Sequence, residues 1–321
     1  GIPPQEIDVN SWTLTINGES AEREVTFTLD NLKKMFEHVT YQVVLECGGN
    51  GRDEYRPNAK GNQWSTGAIG CAAWTGVRLG DVFKYLGVKQ DAVYVAYYGA
   101  DKHLSGNPKK SPISRGFPIE KAYDPETIIA WAMNGNDIPL ANGYPLRLIC
   151  PGFPGSTSGK WLERISIRNQ VHDGTKMGGY AYRLPCNPVA PGEKPTPDEM
   201  CIIEEMPVKS LITYPKNDLE IKEGEAFHIR GKAWSGSGFV SKVYTSIDFG
   251  ITWQEAKLKD ARNKFSWRRW ENNINFPKKG YYEVWVRAVD SLGRSQPMVL
   301  PGWNPKGYLN NASHRIALKV V

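Results

Sequence analysis

Between residues 184 and 197 the chain carries five prolines in fourteen positions: Pro185, Pro188, Pro191, Pro195 and Pro197. Helix interiors and central strands do not tolerate that density, because each proline removes an amide donor and restricts φ. The stretch reads as a stiff, extended linker, and the patterning differs on its two sides. Before it, strand-like and helix-like segments mix; after it, only strand patterns occur. A chain of 321 residues also exceeds what one hydrophobic core usually serves. The sequence therefore predicts two domains, 1–200 and 201–321. The fold class is α+β, a mixed α/β domain followed by an immunoglobulin-like β-sandwich.

In the first half, residues 12–16 and 24–27 alternate around Asn17-Gly18 as a strand pair, and Asp30 reads as the N-cap of a helix over 31–36. An apolar strand over 41–45 runs directly into Cys47-Gly48-Gly49-Asn50-Gly51. Leu79, Val82, Phe83 and Leu86 have helical spacing, and Gly87 is a left-handed terminator. Residues 93–98, 128–133, 146–150 and 161–167 read as further strands. In the second half, 226–233, 242–247, 266–270, 281–290 and 315–321 are β-rich, and 246–253 looks like a tight hairpin.

The formal charge of +6 is mild and no run of five like charges occurs, so nucleic acid is a poor candidate partner. No segment approaches the roughly 20 apolar residues of a membrane span. The chain begins Gly1-Ile2-Pro3-Pro4 rather than with Met, which suggests that an upstream segment has been removed. Five cysteines are odd in number, so at least one thiol is unpaired, and none lies at zinc-site spacing. Cys71, Cys150, Cys186 and Cys201 read as structural.

Cys47 differs from these four. It leaves a strand into a loop with glycines at 48, 49 and 51, which let a backbone approach a bulky ligand. Arg52 follows, and a thiolate near a cation becomes a good soft-metal ligand. On spacing alone, a buried thiol in a glycine-rich turn is the commoner meaning of such a pattern.

The longer motifs bear on that choice. Leu45-Glu46-Cys47-Gly48-Gly49-Asn50-Gly51-Arg52, Lys60-Gly61-Asn62-Gln63-Trp64, Gly67-Ala68-Ile69-Gly70 and Trp74-Thr75-Gly76-Val77 resemble the sulfite oxidase family of molybdenum enzymes. So do Tyr98-Gly99-Ala100-Asp101, Gly143-Tyr144-Pro145-Leu146-Arg147, Gly159-Lys160-Trp161-Leu162, the 246–253 hairpin and Trp303-Asn304. The resemblance covers nearly the whole chain in order, and is closest to the bacterial sulfite dehydrogenases.

It implies molybdenum bound by one molybdopterin, with Cys47 as the protein's thiolate ligand. It also implies a substrate pocket of Arg52, Lys60, Tyr182, Trp64 and Lys306, with Tyr180 a possible substitute for Tyr182. Asp101, Asn142, Arg147, Ser158, Gly159 and Lys160 match cofactor-binding positions; Arg147 and Lys160 suit a phosphate, and amides of the 155–159 loop could cradle it. The implied reaction is oxidation of sulfite to sulfate, with electrons passed singly to an external c-type cytochrome. The chain has no Cys-x-x-Cys-His haem motif of its own.

Relatives acting on nitrate or on protein-bound sulfur share the machinery, and a non-catalytic interaction protein is the reading outside enzymology. The resemblance further implies a homodimer through the second domain, with a heterodimer with the cytochrome as alternative, and a periplasmic location. Three departures stand out: a cofactor-binding segment expected just upstream of Gly1 is not in the sequence; Asn142 replaces a histidine of animal members; Lys306 replaces an arginine.

Overall fold

A computed structural model describes residues 1–224 and 226–321. By internal packing the chain forms two compact units that are not contiguous in sequence. The first comprises Gly1–Gly48, Gly70–Asn187 and Pro195–Glu204; the second comprises Gly49–Ile69, Pro188–Lys194 and Glu205–Val321.

The first unit is built on two sheets with short helices against them, in keeping with the α+β expectation. One sheet has the order Val25–Thr28, Thr13–Asn17, Leu162–Arg168, Tyr94–Gly99, Gly116–Pro118. Its central pairing is parallel, Thr15 opposite Arg164, and joins segments about 150 residues apart in sequence. The adjacent antiparallel pair sets Leu162 opposite Gly99. The loop entering one strand at Lys160-Trp161 therefore meets the loop leaving the other at Ala100-Asp101, where the Ala100 N–H donates to Trp161 O at 2.9 Å. The second sheet runs His38–Glu46, Ile69–Arg78, Ile128–Met133, Asn136–Asp137, with Arg147–Ile149 also paired to Ile128–Met133.

The helix Leu79–Leu86 forms as its spacing predicts. It buries Leu79, Val82, Phe83 and Leu86 in the core, each contributing about 1.5–3 kcal/mol of hydrophobic stabilisation. Gly87 ends it at φ 82° and donates to Phe83 O. The earlier helix is Leu29–Met35, and its N-cap is Thr28 rather than Asp30. Thr28 and Asn31 satisfy each other's backbone N–H in a capping box, and Asp30 instead pairs with Lys34 one turn on.

The proline-rich stretch is not a plain extended linker. Arg183–Pro185 pairs antiparallel with Met200–Ile202, and Cys186 is bonded to Cys201. Of the cysteines read as structural, two thus form a disulfide, and Cys150 is a fully buried thiol pushed by that burial up to about 12.

The second unit is a β-sandwich. One sheet has the order Lys209–Tyr214, Phe227–Trp234, Arg268–Ile274, Lys257–Leu258; the other has Leu219–Ile221, His314–Val320, Gly280–Asp290, Val240–Ser246, Gln254–Glu255. Ile229, Trp270, Val284, Val286 and Leu318 form its core. The 246–253 hairpin is wider than a two-residue turn. Asp248 organises it by accepting from the Thr252 N–H and from the Thr252 and Ser246 hydroxyls, and these bonds hold its carboxyl down at about 2.

A buried network ties the outer end of the first unit's sheet together. The Ser114 hydroxyl donates to Tyr97 O at 2.7 Å, so His172 Nε2–H is left to donate to Ser114 Oγ at 2.8 Å. His172 Nδ1 then accepts from Arg168, which also pairs with Glu19. Burial, reinforced by the Arg168 charge, lowers the His172 pKa from 6.5 to about 4. The unfolded chain binds a proton there between those values and the folded chain does not, so this contribution to stability is full above pH 6.5 and lost as pH falls toward 4. Urea midpoints should decline across that window, and His172→Gln should make the decline shallower; an unchanged slope would remove His172 from the explanation.

Candidate cofactor and substrate site

The two meeting loops, with the segment before the disulfide, enclose a cavity of about 170 Å³ in the first unit. Its lining includes Asp101, Ser158, Lys160 and Tyr182, all singled out from sequence, together with Tyr97, Ser156 and Trp161. Asp101 and Ile113 also line a larger open groove of about 970 Å³ in the same unit. Gly155 lies at the cavity and against the strand that delivers Cys47, since an ideal Cβ on it would be 3.1 Å from Glu46 O. Cys47 is half-buried and outside any disulfide.

Arg147 packs behind this cavity. It is buried, its guanidinium is 5.0 Å from the Trp74 ring, and it donates to Asn142 O at 3.0 Å and Ser158 O at 3.3 Å. Those acceptors are backbone carbonyls, and burial lowers its pKa to about 10. Asn142 therefore acts through its main chain here. The Lys160 ammonium donates to Ala141 O at 2.6 Å, and its pKa is lowered by burial and then by the charge of Arg147. Two cations held chiefly by carbonyl oxygens in a desolvated setting form a site that favours an anion.

The glycines have more specific roles than a general phosphate cradle. An ideal Cβ on Gly159 would fall 2.3 Å from the Tyr97 ring, so Gly159 is required by that contact. The Tyr97 hydroxyl in turn donates to Ser156 O at 2.6 Å, holding the short helical turn Gly155–Thr157. Ser158 Oγ accepts from the Cys150 N–H, so its hydroxyl oxygen already has a structural partner. Tyr180 is separated from Tyr182 by its own bond, donating to Pro195 O at 2.5 Å, while Tyr182 lines the cavity.

The remaining expected pocket residues belong to the second unit. Arg52 is 5% exposed. Its Nε donates to Lys306 O at 2.5 Å, its Nη1 to Asn62 O at 2.7 Å, and it lies 5.2 Å from the Tyr308 ring. Ideal Cβ atoms on Gly49, Gly61 and Gly307 would each come within 3 Å of Arg52 atoms. These glycines make room for the arginine itself. Lys60 is exposed, with its N–H donating to Pro305 O, and Trp64 is 45% exposed. Within this unit the structure gathers Arg52 with the chain around Lys306, and it engages two donors of the guanidinium.

Sequence reasoning missed Tyr97, Ser156 and Arg115. Tyr97 was hidden inside an apolar strand pattern, and Arg115 is a buried cation in a segment with no motif. Arg115 Nη1 donates to Ser156 Oγ at 2.9 Å.

Comparison with known proteins places these features. Residues 1–176 match the family described as oxidoreductase molybdopterin binding domain, and residues 200–321 match the Mo-co oxidoreductase dimerisation domain. The chain is 32% identical to mitochondrial sulfite oxidase of Rattus norvegicus over all of its own length and 60% of that protein, and 33% identical to that of Homo sapiens over 99% and 59%. It is 31% identical to a nitrate reductase of Hordeum vulgare, covering 98% of this chain and 37% of that one. The solved structure of the sulfane dehydrogenase SoxCD from Paracoccus pantotrophus superposes with a TM-score of 0.79 at 28% identity, over 98% of this chain and 77% of that one. The chain spans about three-fifths of the length of the sulfite oxidases it matches.

The residues present fit a molybdenum–molybdopterin cofactor. Among the described residues no carboxylate bonds to buried Arg147 or half-buried Lys160, which suits a phosphate, and Asp101 would offer acceptors to pterin nitrogens. Gly159→Ala forces Tyr97 or the 155–160 loop to move, and should lower molybdenum and pterin content roughly tenfold, the scale of a disturbed supporting shell. Elemental analysis and pterin fluorescence of the purified protein measure this, and full cofactor content would refute it. The match runs through both halves of the chain in order, and the donors the cofactor needs are retained: this protein belongs to the sulfite oxidase family of molybdenum enzymes.

Proposed function

We propose that the chain oxidises sulfite to sulfate and passes the electrons one at a time to an external c-type cytochrome. The observation that carries this reading is the retention of cationic groups at Arg52, Lys60 and Lys306 in the second unit and of Tyr182 in the lining of the first unit's cavity. Balanced, sulfite and water give sulfate, two protons and two electrons. A bound molybdenum–molybdopterin group would supply the oxygen-atom transfer and the two-electron acceptor. Cys47 serves as its thiolate ligand, the protein's one soft donor at the end of the strand His38–Glu46. Arg52 has guanidinium donors beyond the two engaged by carbonyls, and these suit a dianion. Lys306 keeps the positive charge of an arginine without its planar fork, which favours weaker anion binding. Tyr182 donates a hydrogen bond without adding charge.

The likeness to a sulfane dehydrogenase makes sulfur carried on an organic or protein thiol the second reading. Steady-state turnover separates the two. Molybdenum-assayed protein should reduce two equivalents of ferricyanide per sulfate formed, and Cys47→Ser should reduce this to background. Activity with a cysteine persulfide but not with sulfite would transfer the assignment, and nitrate consumption with reduced viologen alone would support the reductase branch.

We further propose a homodimer formed through the second unit and a periplasmic location. The family description of residues 200–321 supports the first, and the Cys186–Cys201 disulfide supports an oxidising compartment. Sedimentation should give twice the chain mass. Alkylation in freshly lysed cells of the source organism should leave Cys186 and Cys201 unlabelled; a monomer, or labelled cysteines, would overturn the respective proposal.

A further inference from the structure

Tyr182 reaches the cavity from an unusual backbone. Its φ is +52°, in the left-handed region that non-glycine residues enter only when their surroundings hold them there. The surroundings are specific. Ile203 N–H donates to Tyr182 O, and Arg183 donates through Nε and Nη2 to Met177 O and through Nη1 to Met200 O. The Arg183–Pro185 pairing with Met200–Ile202 and the Cys186–Cys201 bond close the segment behind it. These contacts fix the Tyr182 backbone. The placing of the ring falls to the side chain's own contacts.

A second element lies on that ring. The Arg115 guanidinium is 4.4 Å from the Tyr182 ring centroid, and Arg115 is 1% exposed. The guanidinium is itself anchored, with Nη1 donating to Ser156 Oγ at 2.9 Å, and Ser156 lines the same cavity as Tyr182. Arg115 O accepts the Tyr97 N–H, so the residue is tied to the strand that carries Tyr97. A planar cation against a π-face restricts the ring to one orientation and withdraws electron density from it, and the effect is strongest where water is excluded.

We propose that Arg115 is the positioning residue for Tyr182: stacked on the phenol ring and anchored by Ser156, it sets the ring's plane and thus the direction of its hydroxyl. The inference rests on the reading of Tyr182 as the hydrogen-bond donor of the site. Arg115 acts through Tyr182 and touches neither substrate nor metal in this role. The cation also makes the phenol a stronger donor, and that gives a readout independent of turnover.

The full chain, loaded with cofactor and carrying 13Cζ-labelled tyrosine, is titrated by NMR, with Tyr182→Phe identifying the Tyr182 resonance. Arg115→Met should raise the midpoint of that resonance by about one pH unit, the scale of a desolvated cation–π contact. Arg115→Lys, which keeps the charge, should hold most of the wild-type value. The alkaline limb of kcat/KM for sulfite should move in the same direction as the NMR midpoint. An Arg115→Met resonance with wild-type midpoint and line width overturns the proposal. If Arg115→Met does not fold, Ser156→Ala takes its place, since it frees the guanidinium without removing it; it should shift the midpoint the same way by a smaller amount, and no shift overturns the proposal. A Tyr182→Phe enzyme with undiminished kcat/KM would instead refute the catalytic reading of Tyr182, whatever the NMR midpoints do.

Discussion

A guanidinium buried against an indole, donating to two backbone carbonyls, organises the first unit's cavity. Arg147 cannot be left in that position without oriented dipoles around it, because an unsolvated charge is costly in a protein interior. The Asn142 and Ser158 carbonyls supply those dipoles, and Ser158 itself lines the cavity. The strand Arg147–Ile149 carries the charge in from the core. The turn Leu140–Asn142 and the loop 155–160 are folded toward it. Carbonyl dipoles leave the positive charge of Arg147 in place, Lys160 adds to it, and such a pair suits a phosphate-bearing ligand.

The same economy explains the supporting aromatics. Tyr97 is buried, desolvation raises its pKa well above the ordinary phenol range, and its hydroxyl serves only as a donor to Ser156 O. Gly159 is small because Tyr97 is large. Trp74 backs Arg147 as Arg115 backs the cavity-lining Tyr182, a cation–π contact in each case. Rigid side chains placed this way pre-organise a polar pocket with little conformational cost on binding.

Local patterns in the sequence were legible where local physics decided the outcome. The helix Leu79–Leu86 and its Gly87 stop follow from spacing and from the freedom of glycine at positive φ. The cavity-lining residues Asp101, Ser158 and Lys160, expected at the cofactor, and Tyr182, expected at the substrate, were readable only through motif order, since no single one of these residues is distinctive. Thr28 displaced Asp30 as the cap because Asn31 completes a reciprocal pair that Asp30 could not make. The pairing of Cys186 with Cys201 was not legible, since five cysteines at irregular spacing permit many pairings, and proline density concealed a short hairpin. Arg115 was invisible for a related reason: a buried arginine without a carboxylate neighbour in sequence looks like a surface residue until its surroundings are known.

The excursion Gly49–Ile69 has a consequence for how the halves can be separated. The chain leaves the first unit immediately after Cys47-Gly48 and is held in the second by two buried bonds, Tyr55 hydroxyl to Tyr308 O and Asn310 to Gly51 O, and by an exposed one, Trp303 to Pro57 O. A chain cut near residue 200 would strip all three partners from that excursion, so the residues just after Cys47 would lose these contacts. The two halves are thus not interchangeable modules. A recombinant of this chain with a relative has to exchange the 49–69 loop together with the segment from Trp303 to Asn310, or the graft will lose these contacts.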